Sequence, residues 1–241
     1  LRLIFSRVNQ LLAIFSFAIR FPTAFITILR VKKANITYLS LSKLVSLSTC
    51  VKSIEHESIP GIFIEAGCAL GGSAIIIADN KKTCRKFRIF DTFKQIPAPS
   101  SKDGQDAFLR YDQIIDGRSK GIKKEAYYGY EDNLIAKVLA NFQKFKLPIE
   151  QNRVELHQGL FADVLIIDEP VALAHIDSDW YESITVALSR IVPKLSTNGL
   201  LIVDDYYDWV GAKQAVDDYF ADKGDTFKFQ FGPQLVIRKI K

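Results

Sequence analysis

The chain has 241 residues, of which 48% are hydrophobic, and its 32 basic and 27 acidic residues give a formal net charge of +5. This length and composition suit one α/β domain with a large core. The basic residues lie in short scattered groups without interleaved aromatic residues, which argues against a nucleic-acid surface. The cysteines, Cys50, Cys68 and Cys84, have neither disulfide nor zinc spacing and fit a reducing cytoplasm.

The most hydrophobic segment runs from Leu11 to Leu29 and is interrupted by Arg20 and Pro22. Its length approaches the ~20 residues that span a bilayer, although a central arginine and a proline are costly in hydrocarbon. Three interpretations stay open: an arm packing on a partner subunit or over the site, a helix at a membrane interface, and a transmembrane anchor. We therefore divide the chain into a hydrophobic helical arm, residues 1–36, and a main domain, residues 37–241.

The main domain begins with a predicted helix, Thr37–Ile54, and a short buried strand, Ile62–Glu65. The strand runs into a glycine turn, Gly67–Ser73, after which a helix resumes at Ala74–Ala78. Glycines let the backbone approach a ligand closely, and a helix N-terminus offers free N–H groups. The spacing differs from the Gly-x-Gly-x-x-Gly of nicotinamide enzymes, and a tight turn without a ligand is the alternative.

A second predicted strand, Phe87–Phe90, ends at Asp91. An acid at this offset from a glycine turn binds ribose hydroxyls in dinucleotide folds, although an isolated aspartate after a strand is also a common cap. The polar region Pro97–Gly129 follows, with little periodicity. It is predicted to be a long loop that serves as a lid or binds substrate.

A predicted helix, Glu131–Phe145, leads to the third strand, Val154–His157. Gly159 and Phe161 come directly after this strand. They are placed to line an adenine pocket beside the first two loops, and Phe161 is equally consistent with an ordinary core residue.

Two further buried strands each end in a pair of aspartates. Pro170–Ile176 precedes Asp177 and Asp179, and Gly199–Val203 precedes Asp204 and Asp205. Carboxylates that meet at one rim of a sheet repel one another unless a cation lies among them. The pattern predicts a hard divalent cation, while caps and turns are the alternative roles for such aspartates.

The remaining elements complete the alternation of strands and helices. They are a helix Glu182–Ile191, a turn Pro193–Gly199, a helix Asp208–Phe220, and a closing hairpin of Phe227–Phe231 and Leu235–Arg238.

Together these motifs resemble the macrocin O-methyltransferase family, the TylF-like sugar methyltransferases of antibiotic biosynthesis. The resemblance runs from about Thr37 to the C-terminus and rests on Glu65–Gly72, Asp91–Phe93 with Pro97, Gly159–Asp163, His175–Ser183 and Asp204–Tyr206. It implies an α/β class I methyltransferase fold, which is Rossmann-like. This fold has a seven-stranded, mostly parallel sheet with an antiparallel C-terminal hairpin and helices on both faces, here with an N-terminal helical extension.

The resemblance also implies S-adenosylmethionine as methyl donor and Mg²⁺ as a second cofactor. By residue matching it implies that Asp179 is the general base and that Asp177, Asp204 and Asp205 bind the metal. The residues expected to bind the methyl donor are Glu65, Gly67, Gly71, Ser73, Asp91, Thr92, Phe93, Gly159 and Phe161.

The leading hypothesis is an Mg²⁺-dependent O-methyltransferase that acts on a hydroxyl of a sugar on a small molecule or glycan. The alternatives are a catechol-type enzyme acting on an aromatic diol, and a membrane-associated protein that binds S-adenosylmethionine without turnover. We expect a small-molecule acceptor, no nucleic acid and a homo-oligomer. The expected location is the cytoplasm, with possible membrane-surface contact through residues 11–29.

Overall fold

Seven strands form one sheet in the computed structural model of this chain, with helices between all of them except the last two. The structure describes the backbone of residues 2–241 and the side chains from residue 8 onward, so the first residues of the predicted arm lie outside it. The strands are β1 Ile62–Ala66, β2 Phe87–Asp91, β3 Val154–Gln158, β4 Val171–Ile176, β5 Leu195–Val203, β6 Phe227–Phe231 and β7 Leu235–Lys239. The α-helices are α1 Arg2–Arg20, α2 Pro22–Lys33, α3 Leu41–His56, α4 Gly72–Asn80, α5 Gln105–Ile115, α6 Leu134–Lys144, α7 Phe161–Val164, α8 Tyr181–Ile191 and α9 Val210–Phe220.

The strand order is β3-β2-β1-β4-β5-β7-β6; β7 runs opposite to the other six strands, so its pairs with β5 and β6 are antiparallel and all other pairs are parallel. The predicted fold class, including the C-terminal hairpin, is therefore confirmed. The chain moves outward from β1 to β2 and β3, then crosses to β4 on the other side of β1. Ligands of open α/β sheets bind at such a switch point, at the carboxyl ends of the strands.

The strands of the sheet centre are buried on both faces. Along β1, Phe63 joins a core that includes α3, α4 and α6, whereas Ile62 and Ile64 join a second core with α8 and α9. A parallel strand covered by helices on both faces is apolar throughout rather than alternating, which is why these strands appear in the sequence as short hydrophobic runs.

The hydrophobic N-terminal segment forms two helices instead of one. Pro22 occupies the first turn of α2, where its missing N–H costs no hydrogen bond, and the two helices are bent by 119°. Ile28 and Val31 are fully buried in the core shared with α3 and α4. Among the described residues, no single helix is long and apolar enough to cross a membrane, and only the bent pair meets that criterion of length and composition.

The prediction of a continuous loop over residues 97–129 is wrong, because Gln105–Ile115 form α5. Ala107 and Ile114 are buried, whereas Leu109 is 56% exposed. The helix is only 11 residues long and lies in a polar segment, so its apolar residues at helical spacing, Ala107, Phe108, Tyr111, Ile114 and Ile115, do not stand out in the sequence.

Two further predicted boundaries also differ. The predicted turn at 193–199 is wrong beyond Lys194, since β5 already begins at Leu195 and its polar residues Thr197 and Asn198 are exposed. The helix predicted from Thr37 begins four residues later.

The late start of α3 has a local cause. The Ser40 hydroxyl oxygen accepts a hydrogen bond from the Lys43 main-chain N–H at 3.2 Å, so Ser40 is the N-cap. This cap places Lys43 in the first turn of the helix, beside the carboxyl ends of the sheet.

Candidate active site

Three neighbouring strands end in register at one rim of the sheet. Ala66, Ile176 and Val203, the last residues of β1, β4 and β5, are partners across the sheet. The ladder continues one step further, because the Asp177 N–H donates to the Ala66 carbonyl at 2.9 Å and the Asp204 N–H to the Ile176 carbonyl at 2.9 Å. The main chain alone therefore sets Asp177 and Asp204 side by side.

Gly67 is required by the closeness of two loops at this rim. Its φ is +88°, and a Cβ atom there would lie 1.9 Å from the main-chain oxygen of Asp177. A larger residue would displace the loop that carries Asp177. The glycine turn and the aspartate loop are thus in direct contact.

Asp177, Asp204 and Asp205 each offer a carboxylate oxygen, and these three oxygens lie within 4.8 Å of one another. Burial, followed by repulsion from Asp204 and Asp205, raises the pKa of Asp177 well above its usual value. Burial, followed by repulsion from Asp179 and Asp204, does the same to the pKa of Asp205. A cation among the three carboxylates would relieve this repulsion.

The hydrogen bonds around these carboxylates are compatible with a bound cation. Asp205 Oδ2 accepts from the main-chain N–H groups of Ser178 and Asp179, both at 3.0 Å, which leaves Oδ1 available. No described residue donates a hydrogen bond to the Asp177 carboxylate, which lies beside Asp204 and Asp205. A set of oxygen ligands with space for water suits Mg²⁺ better than a softer metal.

Lys43 places a positive charge at the edge of this cluster. Its Nζ lies 2.8 Å from Asp204 Oδ2 and 2.6 Å from Asp208 Oδ2, and Gln234 Nε2 donates to Asp204 Oδ1 at 2.6 Å. Burial alone would lower the pKa of Lys43, but the two carboxylates outweigh it and raise that pKa. Both Asp204 oxygens are engaged, and each retains a lone pair for a cation.

Asp179 is held in a different way from the three clustered aspartates. Its backbone is left-handed, with φ +59°, and its Oδ1 accepts a hydrogen bond from Trp209 Nε1 at 2.8 Å. Burial raises the pKa of Asp179 to about 6, against the opposing effect of the Trp209 hydrogen bond. One carboxylate oxygen is therefore fixed, and no described residue donates a hydrogen bond to Oδ2.

Two adjoining cavities of about 420 and 220 Å³ meet at these aspartates. The walls common to both include Gly67, Asp91, Asp177, Asp179 and Trp180. The site thus has room for two substrates, with the acids and the glycine turn between them.

The residues predicted to bind the methyl donor fall into two groups. Those that line one or both cavities are Gly67, Ser73, Asp91, Thr92 and Phe161. Those that do not are Glu65, Gly71, Phe93 and Gly159, whose contacts with a methyl donor stay predictions. Glu65 is fully buried against His175, and Phe93 is 2% exposed within the core.

Asp91, predicted to bind ribose, also fixes the glycine turn. Its Oδ2 accepts hydrogen bonds from the main-chain N–H groups of Cys68 at 2.7 Å and Ala69 at 3.2 Å, and its Oδ1 from that of Phe93 at 2.7 Å. Thr92 Oγ1 also donates to Asp91 Oδ1, at 3.4 Å, so these four hydrogen bonds take up the usual capacity of a carboxylate, while Asp91 still lines both cavities. The same acid therefore shapes the turn and faces the ligand space.

The predicted lid, residues 97–129, is hydrogen-bonded to α8 and α9, the two helices that follow the aspartate pairs. Neither α8 nor α9 is capped by its own N-cap side chain. Instead, Asp103 Oδ1 accepts from the Tyr181 N–H at 2.7 Å and Asp106 Oδ2 from the Val210 N–H at 3.3 Å. The predicted lid thus supplies caps to both helices, a role that its sequence does not reveal.

Sequence reasoning missed Lys43, Trp209 and Gln234, which contact the predicted aspartates. Lys43 lies 161 residues before Asp204, and nothing in its own helix marks it as functional. Trp209 follows the second aspartate pair closely, and this proximity is the signal that could have identified it.

Comparison with known proteins agrees with this fold and site. A family model described as Macrocin-O-methyltransferase (TylF) matches residues 32–228. A similar protein is the 8-demethyl-8-(2,3-dimethoxy-alpha-L-rhamnosyl)-tetracenomycin-C 4'-O-methyltransferase of Streptomyces olivaceus, 28% identical over 194 residues, which cover 76% of this chain and 67% of that protein. Another is the demethyldecarbamoylnovobiocin O-methyltransferase of Streptomyces niveus, 28% identical over 209 residues, which cover 83% of this chain and 71% of that protein.

Among solved structures, the O-methyltransferase NovP superposes with a TM-score of 0.69 at 24% identity, covering 86% of this chain and 83% of NovP. The fold is therefore that of a class I O-methyltransferase. The family match spans most of the chain, including the glycine turn and all four aspartates. The predicted resemblance is confirmed: the chain belongs to the macrocin O-methyltransferase (TylF) family and is an S-adenosylmethionine-dependent O-methyltransferase.

Proposed function

We propose that this enzyme methylates a sugar hydroxyl of a glycosylated small molecule or glycan, with Mg²⁺ bound by Asp177, Asp204 and Asp205. The observation that carries the proposal is the position of this trio beside Asp179, where the two cavities meet. The name of the Streptomyces olivaceus relative gives a rhamnosyl-tetracenomycin as its substrate, which supports a sugar acceptor here.

The smaller cavity is assigned to the adenosine part of the methyl donor. Phe161 and Pro97 give it apolar walls suited to a base, and Asp91 is placed for ribose hydroxyls. Gly67 and Ser73 border the larger cavity, so the amino-acid part of the methyl donor passes along the glycine turn toward the aspartates.

The larger cavity is assigned to the acceptor. Tyr38, Tyr127, Tyr128 and Trp209 supply aromatic surface, and Lys43 and the aspartates supply polar groups. Burial raises the pKa of Tyr127 and of Tyr128, so both phenols stay neutral and can donate hydrogen bonds. Aromatic walls with a few converging polar groups suit a sugar attached to a larger apolar body.

When bound, S-adenosylmethionine would supply the methyl group, whose bond to sulfur breaks as the group is transferred to the acceptor oxygen, and Mg²⁺ held by Asp177, Asp204 and Asp205 would lower the pKa of a nearby hydroxyl. The protein supplies the proton acceptor: Asp179 Oδ2 takes the hydroxyl proton while Trp209 holds Oδ1. Its raised pKa of about 6 suits a base that works near neutral pH. The lid held by Asp103 limits the access of water.

The test is a methylation assay with isotopically labelled S-adenosylmethionine and paired acceptors. Each pair is a glycoside with free sugar hydroxyls and its own aglycone, and a simple catechol is included as a further acceptor. We expect label in the glycoside and none in the aglycone. Label in the catechol alone would support the catechol-type alternative, and binding of the methyl donor without product from any acceptor would contradict the proposal.

We also propose that the arm, residues 1–36, contacts an anionic membrane surface through an apolar stripe on α1. The stripe is 48–67% exposed and comprises Val8, Leu11, Leu12, Phe15 and Ile19. The spacing of three and four residues places it on one helix face, while the opposite face buries Phe17 against the core. The first acidic residue of the chain is Glu55, so every charged residue of the arm is basic.

Charge favours lipid over a second copy as the partner of this stripe. Two arms packed face to face would bring like charges together, whereas anionic headgroups complement them. We expect sedimentation with phosphatidylserine vesicles, weaker sedimentation with pure phosphatidylcholine, and roughly tenfold weaker binding for Ile19→Glu. Ile166→Glu is the matched control, since Ile166 is also 67% exposed but lies outside the arm. Concentration-dependent self-association without vesicle binding would favour the predicted homo-oligomer instead.

A further inference from the structure

A row of buried polar side chains runs beneath the site and is not used in the mechanism above. Glu65 Oε1 lies 2.9 Å from His175 Nδ1, and His175 Nε2 lies 3.4 Å from Gln234 Nε2. Gln234 Nε2 also donates to Asp204 Oδ1 at 2.6 Å. Glu65, His175 and Gln234 are fully buried, and Asp204 is 5% exposed. Such a row is costly to bury unless its members satisfy one another.

The sheet register brings these residues together from distant parts of the chain. Glu65 and His175 are partners on β1 and β4. On the other side, Val203 of β5 is the partner of Leu235 of β7. Because β7 is antiparallel, the residue before Leu235 stands at the carboxyl end of β5, where Asp204 follows. Gln234 therefore meets Asp204 because the last strand is reversed.

The 2.6 Å contact fixes the orientation of the Gln234 amide. A flipped amide would set its carbonyl oxygen against an Asp204 carboxylate oxygen, so the NH₂ group must face Asp204. The second hydrogen of the same NH₂ group faces His175 Nε2, which then accepts, and His175 Nδ1–H donates to Glu65. All three side chains are thus held in one arrangement.

We infer that Gln234 is a positioning residue that sets the affinity of the site for a divalent cation, an inference that rests on the proposed metal role of Asp204. Gln234 holds Asp204 Oδ1 and Lys43 holds Asp204 Oδ2, so the carboxylate cannot rotate away from its two partner acids. Residues that orient a metal ligand commonly contribute 10- to 100-fold in metal affinity. Gln234 lies beyond residues 32–228, where the family model matches.

The test compares Mg²⁺ binding by wild type, Gln234→Met and Gln230→Met in isothermal titration calorimetry. Methionine keeps the length of the side chain and removes its hydrogen-bond donor. We expect Gln234→Met to weaken Mg²⁺ binding by roughly 10- to 100-fold. Gln230 is exposed on the same hairpin, so Gln230→Met is the matched control and should bind as wild type does.

A split between kinetic constants separates positioning from a general loss of structure. In Gln234→Met, the Mg²⁺ concentration for half-maximal activity should rise while kcat at saturating Mg²⁺ stays within about threefold of wild type, because the catalytic groups are unchanged. If the methionine variant does not fold, Gln234→Asn replaces it. Asparagine keeps the amide but cannot reach Asp204, so this variant should also weaken Mg²⁺ binding. Wild-type Mg²⁺ affinity in a folded Gln234 variant would overturn this inference alone. Absence of Mg²⁺ binding in the wild type would overturn the proposed metal site itself, and this inference with it.

Discussion

Replacing Asp179 with asparagine is expected to lower kcat by roughly 100- to 10,000-fold, the usual contribution of a positioned general base. Asparagine keeps a carbonyl oxygen that can accept the Trp209 Nε1 hydrogen bond, so the loop should keep its shape. What is lost is the second carboxylate oxygen, the one left to take the proton. Loss of turnover without loss of structure is therefore the signature of the base.

The measurement is a single-turnover methylation assay at saturating acceptor, together with calorimetric titration of S-adenosylmethionine. Affinity for the methyl donor should change by less than about threefold, because Asp179 is not expected to pair with it. Asp208→Asn is the matched control: it removes a carboxylate from the same cavity, but one that is paired with Lys43 and half-exposed. We expect a much smaller effect there. Equal losses in the two variants would point to the total charge of the cavity and remove Asp179 from the role of base.

The aspartate rim could be predicted because its geometry is local. Asp177 and Asp204 each follow a short apolar run, and parallel strands align their carboxyl ends, so finding the two strands was sufficient to bring the acids together. The structure brings one carboxylate oxygen from each of Asp177, Asp204 and Asp205 to within 4.8 Å of the others. The same locality explains the correct position of the glycine turn before α4.

Residues that arrive from distant elements could not be predicted in this way. Lys43 reaches Asp204 only because α3 packs over the end of β5, and Gln234 only because β7 is antiparallel. Neither Lys43 nor Gln234 lies in a sequence pattern that indicates its role. The helix inside the predicted lid and the caps that the lid supplies were missed for a related reason: α5 is short and exposes much of its apolar surface, and Asp103 and Asp106 cap helices far along the chain. Long-range pairing of this kind has no signature in a single sequence.

Asp177→Asn is expected to raise the thermal stability of the metal-free protein while abolishing metal-dependent turnover. Burial and two neighbouring acids raise the pKa of Asp177, which means that its charged form is unfavourable in the folded state. The neutral amide removes this repulsion at neutral pH, where the unfolded chain would ionise the acid. Scanning calorimetry should therefore show a higher Tm for the variant in the presence of a chelator.

Adding Mg²⁺ should reverse this order of stability. At a concentration 100-fold above its dissociation constant, a ligand bound only to the folded state adds about 2.7 kcal/mol, which is about 5–10 °C in Tm for a chain of this size. The wild type should gain this increment, and Asp177→Asn should not. Chelation should likewise abolish wild-type turnover, and Mg²⁺ should restore it.

Asp204→Asn provides the contrast within the same cluster. Asp204 is paired at both oxygens, with Lys43 and with Gln234. The substitution therefore leaves the half-buried Lys43 ammonium with one carboxylate partner fewer. We expect the free energy of unfolding of the metal-free protein to fall by about 1–3 kcal/mol. Both variants should lose the Mg²⁺ increment, yet their effects without metal should have opposite signs. Opposite effects are expected if Asp177 needs a cation that is absent from the metal-free protein. In an ordinary cluster of surface acids, the two substitutions would not differ in this way. Turnover that survives chelation, or an Mg²⁺ increment retained in both variants, would contradict the metal site.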